Sequence, residues 1–112
     1  MAGRRKPRPG QRRFRRRTLR VLVDFVAEGG VRCEYATTLG AGGMFIETDE
    51  PLPAEAALKA RFRLPGSDAV HEIEGRVVWS QPGGGRQAPG MGIEFTDAVA
   101  VAALARELER LD

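Results

Sequence analysis

The 112-residue sequence has one cysteine, one histidine, one tryptophan and one tyrosine, and only 6% of it is aromatic. A lone Cys33 cannot close an internal disulfide, and with His71 it falls short of the four ligands a structural zinc site usually takes. Long apolar runs are missing too. The longest, Ala98 to Ala105, is far below the roughly 20 residues that span a bilayer. Nor does the basic start lead into an unbroken apolar stretch of about 7–15 residues, as a secretory signal would, because Arg20 and Asp24 interrupt it. The expectation is a cytoplasmic protein without membrane insertion. No Ser-His-Asp set suggests itself, and Pro82-Gly83-Gly84-Gly85-Arg86 lacks the spacing and Lys-Ser/Thr ending of a P-loop. These absences point away from an enzyme, and neither metal nor cofactor is expected.

Acidic residues are absent from the first twenty positions. Ten of the 18 basic residues stand there: Arg4, Arg5, Lys6, Arg8, Arg12, Arg13, Arg15, Arg16, Arg17 and Arg20. The other eight face all 15 acidic residues, so a formal charge of +3 conceals a cationic arm on a body of net −7. Pro7, Pro9 and Gly10 break helix, and runs of like charge repel themselves. Residues 1–10 read as disordered when free and 11–18 as a tether whose order depends on a ligand. The domain division is a disordered basic tail over 1–11 and a single domain over 12–112.

From Leu19 the pattern alternates with period two: Leu19, Val21, Val23 and Phe25 against Arg20, Leu22 and Asp24, a half-buried strand. Glu28-Gly29-Gly30 reads as a turn, and Val31 to Thr37 as the returning strand, with Val31, Cys33 and Tyr35 on one face. Thr38 to Gly43 is a glycine-rich bend, Met44 to Thr48 a third strand and Asp49 to Pro53 a turn. Ala57 to Leu64, His71 to Gln81 and Gly90 to Phe95 supply three more strands, and Pro82 to Pro89 a loop. Ile73, Val77 and Trp79 read as core of the fifth strand. Thr96 or Asp97 can cap a helix running from about Asp97 to Leu111, with Val101, Leu104, Ala105, Leu108 and Leu111 on its apolar stripe. The fold class is mainly β: a small six-stranded antiparallel barrel with a C-terminal α-helix and a flexible basic N-terminal arm.

Two stretches carry chemistry. Arginines at Arg12/Arg16 and again at Arg13/Arg17 have Arg-x-x-x-Arg spacing, and guanidinium groups both fork onto phosphate oxygens and stack on flat rings. The same cluster also fits a tail that holds any polyanion. The Thr38–Gly43 bend fits a backbone N–H ligand site or a bulge that turns one strand into the next, and its spacing alone favours the bulge. The alternation favours core over a stacking platform for Trp79. His71, after a turn, reads as solvated and Cys33 as a small core residue. Of Met44 and Phe45, one should enter the barrel and the other wall the site. The outer face of the helix (Arg106, Glu107, Glu109, Arg110) and the acidic patch Glu47, Asp49, Glu50 are open to partners.

Taken together, the Arg-x-x-x-Arg arm, Leu19-x-Val-x-Val-x-Phe25, Gly42-Gly-Met-Phe-Ile-Glu-Thr48, Gly75-Arg-Val-Val-Trp79 and Gly90-Met-Gly-Ile-Glu-Phe-Thr-Asp97 before a helix resemble a PilZ domain. The resemblance covers about residues 12–110. It implies a six-stranded barrel that binds the bacterial second messenger cyclic di-GMP, with two arginines on phosphate and guanine and an Asp/Asn-x-Ser-x-x-Gly motif on the other side of the base. Arg12 and Arg16 match the arginines, and Gly43 matches the final glycine. Thr38 stands where Asp or Asn is expected, and Gly40 where Ser is expected. Each lost bond to a buried polar group costs on the order of 1–3 kcal/mol, together roughly 10²- to 10⁴-fold in affinity. Arg13, Arg15 and Arg17 add charge that offsets part of this without base selectivity.

The resemblance thus implies a cyclic di-GMP site made of Arg12, Arg13, Arg16, Arg17, Thr38, Gly40, Gly42 and Gly43. Ligand binding would fold the arm over the barrel and signal to a protein partner. The departures at Thr38 and Gly40 motivate a second reading, a degenerate PilZ domain that acts as a protein–protein adaptor of motility or pilus systems. A nucleic-acid-binding barrel ranks third, because the −7 body repels phosphate away from the arm. The sequence assigns no oligomeric state.

Overall fold

The computed structural model describes residues 17–27, 29–83 and 88–111. Six strands come first: β1 Arg17–Ala27, β2 Gly30–Gly40, β3 Gly43–Glu47, β4 Ala57–Arg63, β5 Val70–Gln81 and β6 Gly90–Phe95. One helix, α1 Ala98–Arg110, follows. The strands close an antiparallel barrel in the order β1-β2-β3-β6-β5-β4, which leaves no open sheet edge.

Alternation sets which side faces in. β4 buries Leu58, Ala60 and Phe62 and exposes Lys59, Arg61 and Arg63. β1 buries Val21, Val23 and Phe25 and leaves Leu22 exposed. Ile46, Ile73, Val77, Met91 and Ile93 complete the interior, each large side chain contributing about 1.5–3 kcal/mol by leaving water. Asp97 caps α1 by accepting from the Ala100 N–H, and Leu104 and Leu108 join the core. Val101 and Ala105 pack at its margin, while Leu111 is exposed beyond the helix end.

The predicted strands and helix are present, with three local corrections. First, β2 runs on to Gly40, so Thr38 to Gly40 belong to a strand and the bend shrinks to Ala41-Gly42. Second, Cys33 is exposed. Pairing of Val23 with Glu34 and of Phe25 with Arg32 turns those two polar residues toward the barrel end, which puts Val31, Cys33 and Tyr35 outside. Arg32 lies 5.1 Å from the Phe25 ring centroid and donates to Thr48 Oγ1 at 2.7 Å and to the Glu50 carbonyl at 2.9 Å. Third, His71 is only 9% exposed, packed against Phe62 and bonded to Glu107, so that Glu107 is turned toward the barrel and away from the outer face of α1.

Two irregularities reset the alternation. Ala36 pairs with Ile46 and Thr38 with Phe45, so Thr37 is a bulge residue. Val77 pairs with Ile93 and Trp79 with Gly92, so Val78 is another. An extra residue in one strand inverts the side on which every later residue falls. Inward Val77 is therefore followed by two outward residues, and Trp79, predicted as core, is 45% exposed.

Candidate ligand-binding face

The bulges align a single row across the outer wall. Thr18 on β1 pairs with Thr38 on β2, Thr38 with Phe45 on β3, Phe45 with Gly92 on β6, and Gly92 with Trp79 on β5. The row starts beside the point where the arm enters the barrel. It ends on two aromatic rings stacked with centroids 5.3 Å apart and planes 20° from parallel. Glycine makes this possible. A Cβ on Gly92 would run into the Trp79 indole, and one on Gly90 into the Phe45 ring. The two rings thus pack close over the glycines of β6, with Trp79 exposed and Phe45 half-buried. Sequence reasoning assigned Phe45 or Met44 to the wall, and Met44 is the buried one. It missed Trp79, although the glycines facing it were a readable sign.

The neighbouring outward row is Gly40, Gly43, Glu94 and Arg76. Gly40 and Gly43 add no side chain to this row and are themselves buried. At Gly43 the requirement for glycine is close approach: a Cβ would be driven into the Ile93 carbonyl oxygen. The positive-φ glycines among the described residues are Gly29, Gly30 and Gly66, so the hairpin does not rely on that freedom. Gly42 holds the hairpin to β6 by accepting from the Phe95 N–H at 3.0 Å. Arg76 donates to Glu94 Oε1 at 3.0 Å and to Glu55 Oε1 at 2.9 Å. Those two carboxylates, Glu94 foremost, push the guanidinium further toward its charged form.

Of the predicted site residues, Thr38, Gly40, Gly42 and Gly43 lie together on this face. Arg17 is the first residue of β1 and pairs with Leu39, which brings the end of the arm to the same hairpin. Arg12, Arg13 and Arg16, and the predicted tail, lie outside the described residues. A separate open groove of about 250 Å³ is lined by Glu34, Tyr35, Glu47, Thr48, Asp49 and Pro89. Its carboxylates repel phosphate, which sets it apart from the β2–β3 hairpin face.

No helix among the described residues is long and apolar enough to cross a membrane. No curated protein matches the chain. Solved structures do. The Bacillus subtilis inhibitor of motility MotI (DgrA) is similar with a TM-score of 0.72 and 19% identity, over 89% of this chain and 50% of that one. The chain therefore spans about half the length of that protein. The PilZ domain of CeSA from a cellulose-synthesizing bacterium is similar with a TM-score of 0.61 and 18% identity, over 85% of this chain and 98% of that one. An uncharacterized Legionella protein gives 0.58 and 14%, over 87% and 92%. At these identities the likeness establishes the fold. The family model for the PilZ domain matches residues 10–111. With nearly the whole chain inside that match, and a closed six-stranded barrel beneath it, this protein belongs to the PilZ domain family.

Proposed function

We propose that the chain is a cyclic di-GMP-binding effector domain that takes its ligand on the outer face of β2, β3, β6 and β5. The observation that carries this reading is the register that joins Thr18, Thr38, Phe45, Gly92 and Trp79. It lines up the start of β1 with Thr38, half-buried Phe45 and exposed Trp79 on one strip of wall. The ligand has two phosphates and two guanines. Arg12, Arg13, Arg16 and Arg17 supply phosphate forks and stacking surfaces, and Phe45 and Trp79 supply a flat apolar platform. Ordering the arm over the barrel changes the surface offered to a protein partner, and the binding free energy drives that ordering. The family consists of binding domains, and the domain acts by binding and not by catalysis.

Titration calorimetry with cyclic di-GMP in low salt tests this directly. Saturable heat that is lost in Arg12→Ala and in Arg16→Ala is the expected result. Absence of heat at high micromolar protein sinks it.

A second reading, a protein–protein adaptor without the nucleotide, is favoured by one further observation. Leu22 pairs with Tyr35 and Val26 with Val31 on the outer face of β1 and β2, and all four are exposed. Thr38 and Gly40 also lack the acceptors expected of the second motif. In this reading the Thr38→Asp, Gly40→Ser double variant gains a binding that the wild type does not have.

A further inference from the structure

The β2–β3 hairpin lacks a base-reading side chain where the motif would place one. Thr38 offers one hydroxyl and Gly40 no side chain, yet a guanine needs a partner for two adjacent donors, N1–H and N2–H. A carboxylate meets both at once, because it accepts on two parallel oxygens.

Such a carboxylate stands on the next strand but one. Glu94 pairs with Gly43, which pairs with Gly40, so its side chain rises at the end of a floor without side chains. It is two residues from Gly92, on the same face, hence roughly 6–7 Å along the strand from the aromatic row. About half of it is exposed. Arg76 fixes it with one bond to Oε1 at 3.0 Å, while the other guanidinium nitrogen is drawn off by Glu55 at 2.9 Å. One cation between two carboxylates leaves Glu94 held in place with most of its accepting capacity unspent.

Glu47 flanks the aromatic pair on the other side, but it is poorly suited. Phe45 leans over Gly90, the residue paired with Glu47, and covers that flank. Glu47 also shares its groove with Glu34 and Asp49, whose charges repel the phosphates of the ligand.

On the reading that the chain binds cyclic di-GMP, we propose that Glu94 is its guanine-reading residue, a carboxylate on β6 that takes over the task left open at Thr38 and Gly40. Arg76 is its positioning residue.

The test is calorimetry of wild type and Glu94→Gln with cyclic di-GMP and with cyclic di-AMP. Glutamine keeps the shape but puts an amide donor against guanine's donors. Adenine has an acceptor at N1 and no N2 amine, so it cannot meet both carboxylate oxygens as guanine does. The expected result is a roughly 10- to 100-fold loss for cyclic di-GMP, the scale of one bidentate base contact. Affinity for cyclic di-AMP should be unchanged or higher. Charge alone predicts otherwise, since removing a carboxylate from the path of a dianion tightens both ligands. Equal changes for the two ligands, or no change, overturn the assignment and leave the wild-type reading standing. No binding of cyclic di-GMP by the wild type overturns both. The exposed Glu94–Arg76 pair contributes little to folding, so the variant folds.

Discussion

His71 Nε2 and Glu107 Oε1 stand 2.5 Å apart, one on β5 and the other on α1. The other carboxylate oxygen accepts from Ser67 Oγ at 2.5 Å, in the turn between β4 and β5. An ionised carboxylate can only accept, which assigns the shared proton to Nε2. Three residues from three elements thus fasten the helix to the barrel at a mostly buried point.

The Ser67 hydroxyl foremost, and then His71, hold the Glu107 carboxyl below its usual range. A depressed folded-state pKa gives stability that is fully present above the unfolded value of about 4.3 and is lost as pH falls through the folded value. Urea unfolding as a function of pH should therefore show wild-type stability flat near neutrality and declining below about pH 5. Glu107→Gln should start lower, by about 1–3 kcal/mol, and should lose that part of the acid decline. Parallel curves for the two proteins would show that this site does not fasten the helix.

Gly43→Ala should destabilise the fold by about 1–3 kcal/mol, the scale of an overpacked contact. The added methyl meets the Ile93 backbone oxygen, which cannot swing aside as a side chain end could. Denaturant unfolding checks this, with Gly29→Ala as a contrast, where the strain comes from positive φ and not from crowding.

Trp79→Ala should cost at least about 0.5–1.5 kcal/mol of stability for the lost stacking on Phe45, while weakening cyclic di-GMP binding roughly 10- to 100-fold, because stacking of a base on an aromatic ring is worth about 1–3 kcal/mol. The single tryptophan also provides a signal: ligand should alter its fluorescence. A fully retained affinity would remove the aromatic pair from the site.

Cys33 should react with a thiol reagent in the native protein, without denaturant, because it is exposed. It should do so slowly at neutral pH. Its hydrogen bond with Asp24 is the main cause that raises its pKa, helped by the nearby charges of Asp24 and Glu34. Asp24→Asn should speed labelling, measured by release of a coloured thiolate. Reaction only after unfolding would contradict the exposed position.

What was legible in the sequence follows from what alternation encodes. β4 could be read residue by residue because nothing interrupts its period of two. The helix could be read from its apolar spacing and its Asp97 cap. Trp79 was misplaced because Val78 adds one residue to the count, and nothing in the apolar pattern of β5 marks that position. His71 was misplaced because its partner Glu107 lies 36 residues away in the chain. Cys33 was misplaced because the inward face at that end of the barrel is polar, with Arg32 and Glu34 closing over Phe25. The glycines at 40, 42 and 43 stand side by side because they form one hairpin, as their closeness in the chain implies. Glu94 went unnoticed because an acidic residue in a strand gives no sign of what stands two strands away.

Val78 also has a consequence for how such a wall can change. If Val78 instead took the place opposite Gly92, β5 would keep its simple alternation and the indole would point to the inside of the barrel. The interior there is already filled by Val77, Ile93 and Met44, so the swap would both strip the outer face of its platform and overfill the core. A point substitution at Trp79 removes a surface. A slip of one place against β6 turns the wall inside out. A single step of register, with no change in the side chains present, is enough to decide whether this barrel presents an aromatic surface at all.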